Sequence, residues 1–467
     1  MPNTQPTVSM TLSTLRSRLA DWLTRWRPVL PLFVAEVIVW IGFGALLPVI
    51  PLYLNDQGVD LATLGVIIAA WPAARIIGEP VFGWLADRTA RVPLMVIGLF
   101  FTGVFLALPL AVHGALAFLV LRAIAGLATS LYDPAARGVL MDAMPPERHG
   151  EAFGWYGAAQ MSGLLLGPAI GGLGAAAFGG IGFVFVFGGV TGVLAAVAVG
   201  LTVRDVPHRS SVAPLPGSGM VDFSRDLPRI SDDDASATAP RTLPDGTAEG
   251  GPAIGPARPT GLVNRLIVAA VIANASANYG AGTYDTIWSL FLRDKGASLE
   301  LISLTFTMFA IPVLVFGPIA GRLVDRRGAL RFLIVGSAMI GLASVTYTFL
   351  VDPRWAVVVI LFEATGFAMV NPALYAIVAR GSPAGRSSTA QGVFGGAGTV
   401  GFVISALFAG WLATFDLRYP FYVFFVVTFV GLALTLLVGR REILAGEPGT
   451  LRAVGHVAEV GSASLEP

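Results

Sequence analysis

The chain has 467 residues, of which 55% are hydrophobic and 13% are charged, and its formal net charge is +1. This composition is typical of polytopic membrane proteins, and the near-zero charge gives no indication of a nucleic-acid partner. There is no cysteine, which excludes disulfides and thiolate metal sites. The four histidines lie in predicted loops or tails, so we predict no metal site and no cofactor: His113, His149, His208 and His456.

Residues 1–27 are predicted to form an amphipathic segment on the cytoplasmic surface of the membrane. Apolar side chains recur there at helical spacing, at Leu12, Leu15, Leu19, Leu23 and Trp26. The segment also carries arginines and has no short apolar core followed by a cleavage site, so it is not a secretory signal peptide. A frayed polar tail is the alternative.

Twelve mostly apolar segments follow, each long enough to span a bilayer as a helix. They cover residues 29–54, 61–85, 92–112, 115–140, 151–177, 181–203, 263–292, 300–323, 330–350, 355–379, 390–414 and 419–439. We therefore predict an all-α membrane protein whose twelve transmembrane helices form two pseudo-symmetric six-helix bundles, 28–203 and 263–440. Residues 204–262 are rich in Pro, Gly, Ser and Asp and are predicted to be a disordered linker, and 441–467 a tail.

The placement of arginine predicts the orientation. Most of the arginines outside the helices fall on the side of the termini and of the central linker, whereas the other side has only Arg293, Lys295, Arg354 and Arg418 in its loops. Because cytoplasmic loops are enriched in Lys and Arg, both termini, the linker and the tail are expected in the cytoplasm. The expected location is the cell (inner) membrane.

One short phrase occurs twice, with an offset of 238 residues. The two copies read Gly83-Trp-Leu-Ala-Asp87-Arg88 and Gly321-Arg-Leu-Val-Asp325-Arg326. Prolines and an arginine repeat at the same offset: Pro80 and Pro318, Pro134 and Pro372, Arg148 and Arg386. Two homologous membrane halves are the layout of a secondary transporter.

The first copy resembles the signature of the major facilitator superfamily between helices 2 and 3. It comprises Gly83, Asp87, Arg88 and Arg91, with Ala90 in place of a usual later glycine. The resemblance implies a gate, in which the aspartate approaches the cytoplasmic start of helix 11 when the inner side is closed. A carboxylate there is favoured by the helix dipole. The second copy extends the predicted gate to Gly321, Asp325 and Arg326.

Helix 5 carries a motif that is similar to that of proton-coupled antiporters of the superfamily. Its positions are Gly154, Gly163, Gly167, Pro168, Gly171 and Gly172. Glycines permit close approach of another helix and Pro168 bends the segment, so a packing role alone, in a uniporter or symporter, is the alternative. Gly42, Pro48 and Pro51 in helix 1 are similar to a motif of twelve-helix drug:proton antiporters.

Ionisable side chains inside the membrane are costly and therefore candidates for function. Glu36 in helix 1 is the predicted proton-coupling acid, and Arg122 in helix 4 its predicted partner, within a motif that resembles the superfamily's buried arginine. A permanent Glu–Arg pair between the two helices is the alternative. Arg75 and Glu79 are one helical turn apart and are expected to pair locally, and Asp133 is expected to join helix 2.

The second half supplies the predicted substrate site. Helix 7 is unusually polar, with Asn274, Asn278, Tyr279 and Asp285, and Glu363 lies in helix 10. Acids facing a cavity would favour cationic ligands by Coulomb attraction. Trp40 and Tyr156 are predicted to add aromatic contacts. The alternatives are a solvated Asp285 near the outer mouth and ordinary packing of the aromatic rings.

Together these features predict proton-coupled export of hydrophobic or cationic compounds by alternating access, with helices 1, 4, 7 and 10 around the cavity. The expected partners are a small-molecule substrate, protons and the lipid bilayer, and the protein is expected to be a monomer. A proton-linked exporter of one metabolite, such as a sugar or an amino acid, is the alternative. An enzyme is disfavoured because the helices contain no catalytic constellation of Ser–His, metal or paired carboxylates.

Overall fold

The computed structural model describes residues 22, 24–145, 148–205, 261, 263–383 and 387–445. Within these ranges the chain is helical and contains no strand, which confirms the predicted all-α class. The twelve long helices are α1 Leu30–Asp56, α2 Leu61–Ala86, α3 Arg91–Ala107, α4 Ala115–Ala143, α5 His149–Ala177, α6 Ile181–Thr202, α7 Arg265–Asp294, α8 Leu299–Arg327, α9 Ala329–Phe349, α10 Ala356–Gly381, α11 Ser387–Ala413 and α12 Tyr419–Ala445.

Ten of these helices are long enough and apolar enough to cross a membrane. The other two are α5, which is rich in glycine, and α7, which carries Asn274, Asn278 and Asp285. Exposing either helix to lipid on all sides would be unfavourable, because polar side chains and backbone that glycine leaves uncovered are costly in hydrocarbon. Both instead pack on neighbouring helices, α5 on α1 and α7 on α11.

Proline and cap residues determine several helix limits. Helix α1 consists of two helical pieces, Leu30–Leu46 and Ile50–Asp56, separated by a turn at Pro48, whose nitrogen has no hydrogen to donate. Helix α2 begins at the cap residue Asp60, whose carboxylate accepts from the Thr63 N–H at 3.0 Å. This hydrogen-bonding to Thr63 holds the pKa of Asp60 below its usual value. Ser298, at the repeat position of Asp60, caps α8 in the same way.

The two bundles meet at one end of the molecule. We call the end where α1 begins and α12 finishes the terminal face, and the other end the opposite face. Near the opposite face, α2 meets α11 at Gly65 and Gly410, and α5 meets α8 at Gly172 and Ser303. A Cβ built on Gly410 would lie 2.8 Å from the Gly65 Cα, and one on Gly172 would lie 2.5 Å from the Ser303 Oγ.

These two contacts are copies of each other. Ser303 lies 238 positions after Gly65, and Gly410 lies 238 positions after Gly172, which is the offset found in the sequence. The pseudo-two-fold relation between the halves therefore extends to the way in which the bundles are joined.

A polar latch closes the opposite face between α1 and α7. Arg293 donates from Nη1 to Asp56 Oδ1 at 2.6 Å and from Nη2 to Asn55 Oδ1 at 2.7 Å. Asn55 and Arg293 occupy equivalent positions in the repeat, 238 residues apart, so the latch lies where the two halves meet symmetrically.

At the terminal face the facing halves of α5 and α11 diverge. Among the described residues, no atom lies within 4 Å of a Cβ built on Gly154 or Gly157 in α5, or on Gly392 or Gly395 in α11. The bundles are therefore in contact near the opposite face, whereas these four glycines of α5 and α11 meet no other described residue near the terminal face.

The predicted segments outside the bundles are described only at their edges. The N-terminal segment is described from Trp22, and Trp26 is fully buried with the Arg148 guanidinium 5.1 Å from its ring. Nearly all of the predicted linker, and the predicted tail beyond Ala445, lie outside the described residues. Helix α12 continues to Ala445, past the boundary predicted at residue 440.

We predict that Arg293→Gln favours opening of the opposite face, because it removes the ion pair and a second hydrogen bond. The reporter is Ser303→Cys, a 1% exposed position in a chain that has no cysteine. The labelling rate of this cysteine by a maleimide should rise about two- to fivefold, since a half-exposed ion pair contributes at most about 1 kcal/mol.

Arg418→Gln is the matched control, because Arg418 is an exposed arginine near the same face and forms no ion pair among the described residues. Equal labelling rates in the Arg293→Gln and Arg418→Gln proteins would show that the latch does not hold the bundles together.

Candidate transport site

A central cavity lies between the bundles, with an empty volume of ≈ 1400 Å³ that includes its open mouth. Twenty residues line it; ten are aromatic and three are charged. Helices α1, α7 and α10 contribute as predicted, whereas α4 contributes no lining residue and α2, α5, α8, α9, α11 and α12 do. Such a wall offers broad planar surfaces and few hydrogen-bonding groups.

The C-terminal wall holds the two acids of the cavity, Asp285 on α7 and Glu363 on α10. Glu363 is 3% exposed and accepts from the Tyr347 hydroxyl at 2.7 Å. Tyr284 and Trp288 line the cavity beside Asp285, with their ring centroids 5.4 Å apart. This arrangement of acids and aromatic faces can bind a cation through charge and cation–π contacts together.

The N-terminal wall is a row of aromatic rings that ends in an arginine. The ring of Phe43 lies 5.3 Å from the ring of Trp40 on one side and 5.3 Å from the ring of Trp71 on the other. The Arg75 guanidinium then lies 4.6 Å from the Trp71 ring. All four side chains line the cavity.

Arg75 also joins α2 to α4. It donates to Glu79 from Nε at 2.9 Å, as the one-turn spacing predicts, and from Nη2 to Asp133. Asp133 in turn lies 3.8 Å from the Arg137 guanidinium. The predicted local pair and the predicted link of Asp133 to helix 2 are thus both present, and each charge in this network has a counter-charge.

Glu36 is completely buried and does not line the cavity. Its Oε1 accepts from Trp40 Nε1 at 3.0 Å and from Gln160 Nε2 at 2.6 Å, and its Oε2 accepts from the Tyr132 hydroxyl. Tyr156, also buried, interacts with Glu36 electrostatically. The carboxyl group is therefore surrounded by neutral donors and forms no ion pair with any of the described residues.

The glycines of α5 hold α1, and with it Glu36, in place. A Cβ on Gly163 would lie 2.5 Å from the Trp40 Cβ, and one on Gly167 would lie 2.5 Å from the Ile41 carbonyl oxygen. Gly171 approaches Ala45 in the same manner, at 2.8 Å from its carbonyl oxygen. The helix that approaches the motif is thus α1, which carries the predicted coupling acid.

The remaining motif positions lie elsewhere. Gly154 faces open space near the terminal face, Gly172 contacts α8, and the Pro168 ring lies 3.2 Å from a Cβ built on Gly44 of α1.

Arg122 is not joined to Glu36, contrary to the partnership predicted between them. Its Nε and Nη1 are buried and have no hydrogen-bond partner among the described residues. Arg122 interacts electrostatically with Asp285 of the other bundle, although the two form no ion pair. The separation arises because Arg122 belongs to the half of α4 nearer the opposite face, whereas Glu36 meets α4 at Tyr132.

Three residues of the predicted polar strip on α7 are placed away from the cavity wall. Asn274 is 7% exposed and donates to the Phe394 carbonyl oxygen of α11 at 2.7 Å, and Asn278 donates to the Asn274 side chain at 3.0 Å. Tyr279 is also buried. The reason is the close approach of α11, where a Cβ on Gly398 would lie 2.7 Å from the Asn274 Nδ2.

The predicted gate of the first half is organised around Arg91. This buried arginine donates to Asp142 of α4, and its Nη2 lies 3.6 Å from Asp87 Oδ1. Asp205 accepts from the backbone N–H of Arg91 at 2.9 Å and so caps α3. Arg88 lies over Trp84, 4.0 Å from its ring.

Asp87 itself is 74% exposed at the terminal face. The predicted contact of Asp87 with the start of α11 stays a prediction, because residues 384–386, directly before α11, lie outside the described residues. In the second copy Asp325 and Arg326 are exposed, while Gly321 faces Pro372 as Gly83 faces Pro134.

The chain matches a known protein family over most of its length. A family model described as Major Facilitator Superfamily matches residues 32–284 and 270–454. The chain belongs to the major facilitator superfamily. It is therefore a multi-pass membrane transporter rather than a member of an enzyme family, and the predicted family and fold are confirmed.

The chain is similar to two drug-resistance proteins along nearly its whole length. It is 24% identical over 425 residues to the quinolone resistance protein NorA of Staphylococcus aureus (strain COL), which covers 88% of this chain and 96% of the relative. It is 24% identical over 421 residues to multidrug resistance protein 2 of Bacillus subtilis (strain 168), at 87% and 93% coverage.

Solved structures share the fold at low identity. A bacterial homologue of the human lysosomal transporter Spinster, inward-facing and occupied, matches with a TM-score of 0.70 at 15% identity and covers 90% of this chain and 97% of its own. A D-xylose-proton symporter matches with a TM-score of 0.66 at 16% identity, covering 87% and 97%. These likenesses concern the fold alone.

Sequence reasoning missed several residues of the site. Tyr132 and Gln160 contact Glu36 from other helices, and no local pattern indicates them. Trp71 lies four residues before Arg75, and residues with this spacing lie on the same face of a helix, so the sequence could have predicted their contact. The contact of Trp40 with Glu36 could likewise have been predicted from their spacing of four residues.

We predict that Asp87→Asn lowers the transport rate several-fold with little change in ligand affinity. Asp87 is exposed at the terminal face, does not line the cavity, and among the described residues forms one ion pair, with the gate arginine Arg91 at 3.6 Å. Initial transport rates and equilibrium binding on the same preparation measure the two effects. Asp87→Glu keeps the charge and should retain most of the rate, whereas a collapse of affinity in Asp87→Asn would exclude a gate role.

Proposed function

We propose that this protein is a proton-coupled exporter of hydrophobic or cationic aromatic compounds. The observation that carries the proposal is the cavity, whose lining is half aromatic and includes Asp285 and Glu363 as acids. The similarity to a quinolone resistance protein and a multidrug resistance protein supports the same substrate class. The glycine motif of α5 and the buried acid on α1 support antiport.

The alternating-access cycle follows from the two bundles. Residues 28–203 and 263–440 rock against each other, and residues 204–262 link them. The closed end separates at Gly65–Gly410, at Gly172–Ser303 and at the Arg293 latch, while the gate around Arg91 closes the terminal face. We place the protein as a monomer in the cell (inner) membrane with both termini in the cytoplasm, in keeping with the arginine distribution.

In this cycle Glu36 carries the proton. It takes up a proton from the outer side, the carrier returns, and the proton leaves on the cytoplasmic side when the export substrate binds. Because Glu36 has neutral partners only, neither protonation state breaks an ion pair.

The second candidate is a proton-linked exporter of one metabolite, such as a sugar or an amino acid. The fold is shared with a D-xylose-proton symporter, but fold does not determine substrate. A sugar site needs many directed hydrogen bonds, and this lining offers few polar groups besides its three charged side chains. Competition by many unrelated ligands would favour the drug exporter, and a single accepted ligand would favour the metabolite exporter.

We predict that Glu36→Gln abolishes export driven by a proton gradient and leaves ligand binding measurable. Glutamine keeps the volume of the side chain but cannot release a proton. The measurement is ethidium and norfloxacin transport in proteoliposomes with an imposed pH gradient, together with equilibrium binding. Glu151→Gln, which changes an exposed acid at the start of α5, is the control. Undiminished export by Glu36→Gln would remove Glu36 as the coupling acid.

We predict that Asp285→Asn selectively weakens the binding of cations. The dissociation constant of ethidium should rise about tenfold, since a charge contact in a partly wet cavity contributes roughly 1.4 kcal/mol. The binding of chloramphenicol, a neutral aromatic compound, should change by less than about twofold because it loses no charge contact. Equal weakening of both ligands would mean that Asp285 shapes the cavity rather than attracting charge.

A further inference from the structure

Trp40 belongs to two sites at once. Its indole lines the central cavity, and its Nε1 donates to Glu36 Oε1 at 3.0 Å. Glu36 itself is fully buried and does not reach the cavity. Among the described residues that line the cavity, Trp40 is the one that hydrogen-bonds to the buried acid.

The backbone of Trp40 is fixed while its ring borders open space. Helix α5 lies against it so closely that a Cβ on Gly163 would be 2.5 Å from the Trp40 Cβ. The ring touches Phe43 edge-on at a centroid distance of 5.3 Å, donates to Glu36 and lines the cavity. A ligand that packs against the indole can therefore hold this one side chain in its hydrogen-bonded position, without a shift of α1.

The other groups around Glu36 lie outside the central cavity. Tyr132 and the nearby charges Asp133 and Arg137 belong to α4, and Gln160 and Tyr156 belong to α5. None of these five side chains lines the central cavity, although Tyr132 and Asp133 line a smaller pocket on the other side of the aromatic wall. Trp40 is thus the hydrogen-bond partner of Glu36 that a ligand in the central cavity contacts directly.

We propose that Trp40 is the positioning residue that couples ligand occupancy to the protonation of Glu36. A planar ligand packed against the indole holds the Nε1–H on Oε1, which stabilises the carboxylate, and the proton of Glu36 leaves to solvent. When no ligand packs against it, the indole rotates toward the cavity, the carboxylate loses a donor, and Glu36 takes up a proton. This inference rests on the proposed proton-coupled export.

The test is proton release induced by ethidium from the purified protein in detergent and weak buffer, measured from pH 5.5 to 8.5. Trp40→Phe keeps an aromatic ring on the wall and removes the donor. The number of protons released per bound ethidium should fall to near zero across this pH range, since the hydrogen bond through which the ligand stabilises the carboxylate is absent.

Trp71→Phe is the matched control. It removes the same atoms from the same aromatic wall, and no hydrogen bond joins Trp71 to a carboxylate among the described residues. Its proton release per bound ethidium should stay at the wild-type value even if ethidium affinity falls. Trp40→Leu, which also removes the ring, should lose proton release as Trp40→Phe does and bind ethidium more weakly.

The outcomes separate this inference from the function on which it rests. If Trp40→Phe releases as many protons per bound ethidium as Trp71→Phe while Glu36→Gln abolishes proton release, Trp40 is not the coupling residue and the exporter mechanism stands. If wild-type protein releases no proton with ethidium, or Glu36→Gln releases as many as wild type, the proposed coupling itself is overturned.

Discussion

The close contact of α5 with α1 is the constraint on which the rest of the structure depends. A carboxylic acid in the membrane interior needs partners for its oxygens, and those partners must come from other helices. Gly163 and Gly167 have no side chains, so the backbones of α5 and α1 approach until Gln160 of α5 reaches Glu36, to which Tyr132 of α4 also donates. A methyl group at either glycine would overlap α1 and separate the acid from its donors.

The repeat shows which parts serve the architecture and which serve the site. Contacts between bundles are preserved at the 238-residue offset, as at Gly65–Gly410 and Gly172–Ser303. The site is not preserved, because the positions of Glu36 and Trp40 are occupied in the second half by Asn274 and Asn278. Amides cannot exchange a proton at ordinary pH, so this part of the second half is limited to structural hydrogen bonds.

The charges of the first-half network are also lost on duplication. Arg75 and Asp133 correspond to Val313 and Asn371, and Gln160 corresponds to Gly398. The lost side chain at Gly398 is what lets α11 cover Asn274. The two halves thus use the same helix contact for different purposes, one to enclose an acid and one to bury an amide pair.

The sequence was sufficient for the fold and for part of the site. The lengths of the apolar segments predict the spanning helices, and the repeated Asp87 phrase predicts the two bundles. The placement of arginine predicts their orientation. These signals are strong because the bilayer restricts both the length of a helix and the position of charge. Pairs on one helix, such as Arg75 with Glu79, follow from a spacing of four residues. The face that a polar helix turns to the cavity does not follow, because polarity alone cannot distinguish water from a neighbouring helix.

Helix α7 illustrates that limit. Asn274, Asn278 and Asp285 share one helical stripe, yet only Asp285 lines the cavity. The two asparagines lie two to three turns nearer the terminal face, where α11 covers the stripe. The difference between the asparagines and Asp285 depends on a residue of another helix, Gly398 of α11, which contacts Asn274 only in the folded chain.

The positions of the three acids indicate different roles for Asp285 and Glu363 on the one hand and Glu36 on the other. Asp285 and Glu363 border the space that a ligand occupies, so a cation can neutralise them directly. Glu36 lies behind the aromatic wall, where a ligand cannot compete for it by contact. An acid placed there responds to a ligand only through the shape of that wall. Ligands of different structure can therefore trigger the same proton step, provided that each presents a flat face, which is what a carrier of broad specificity requires.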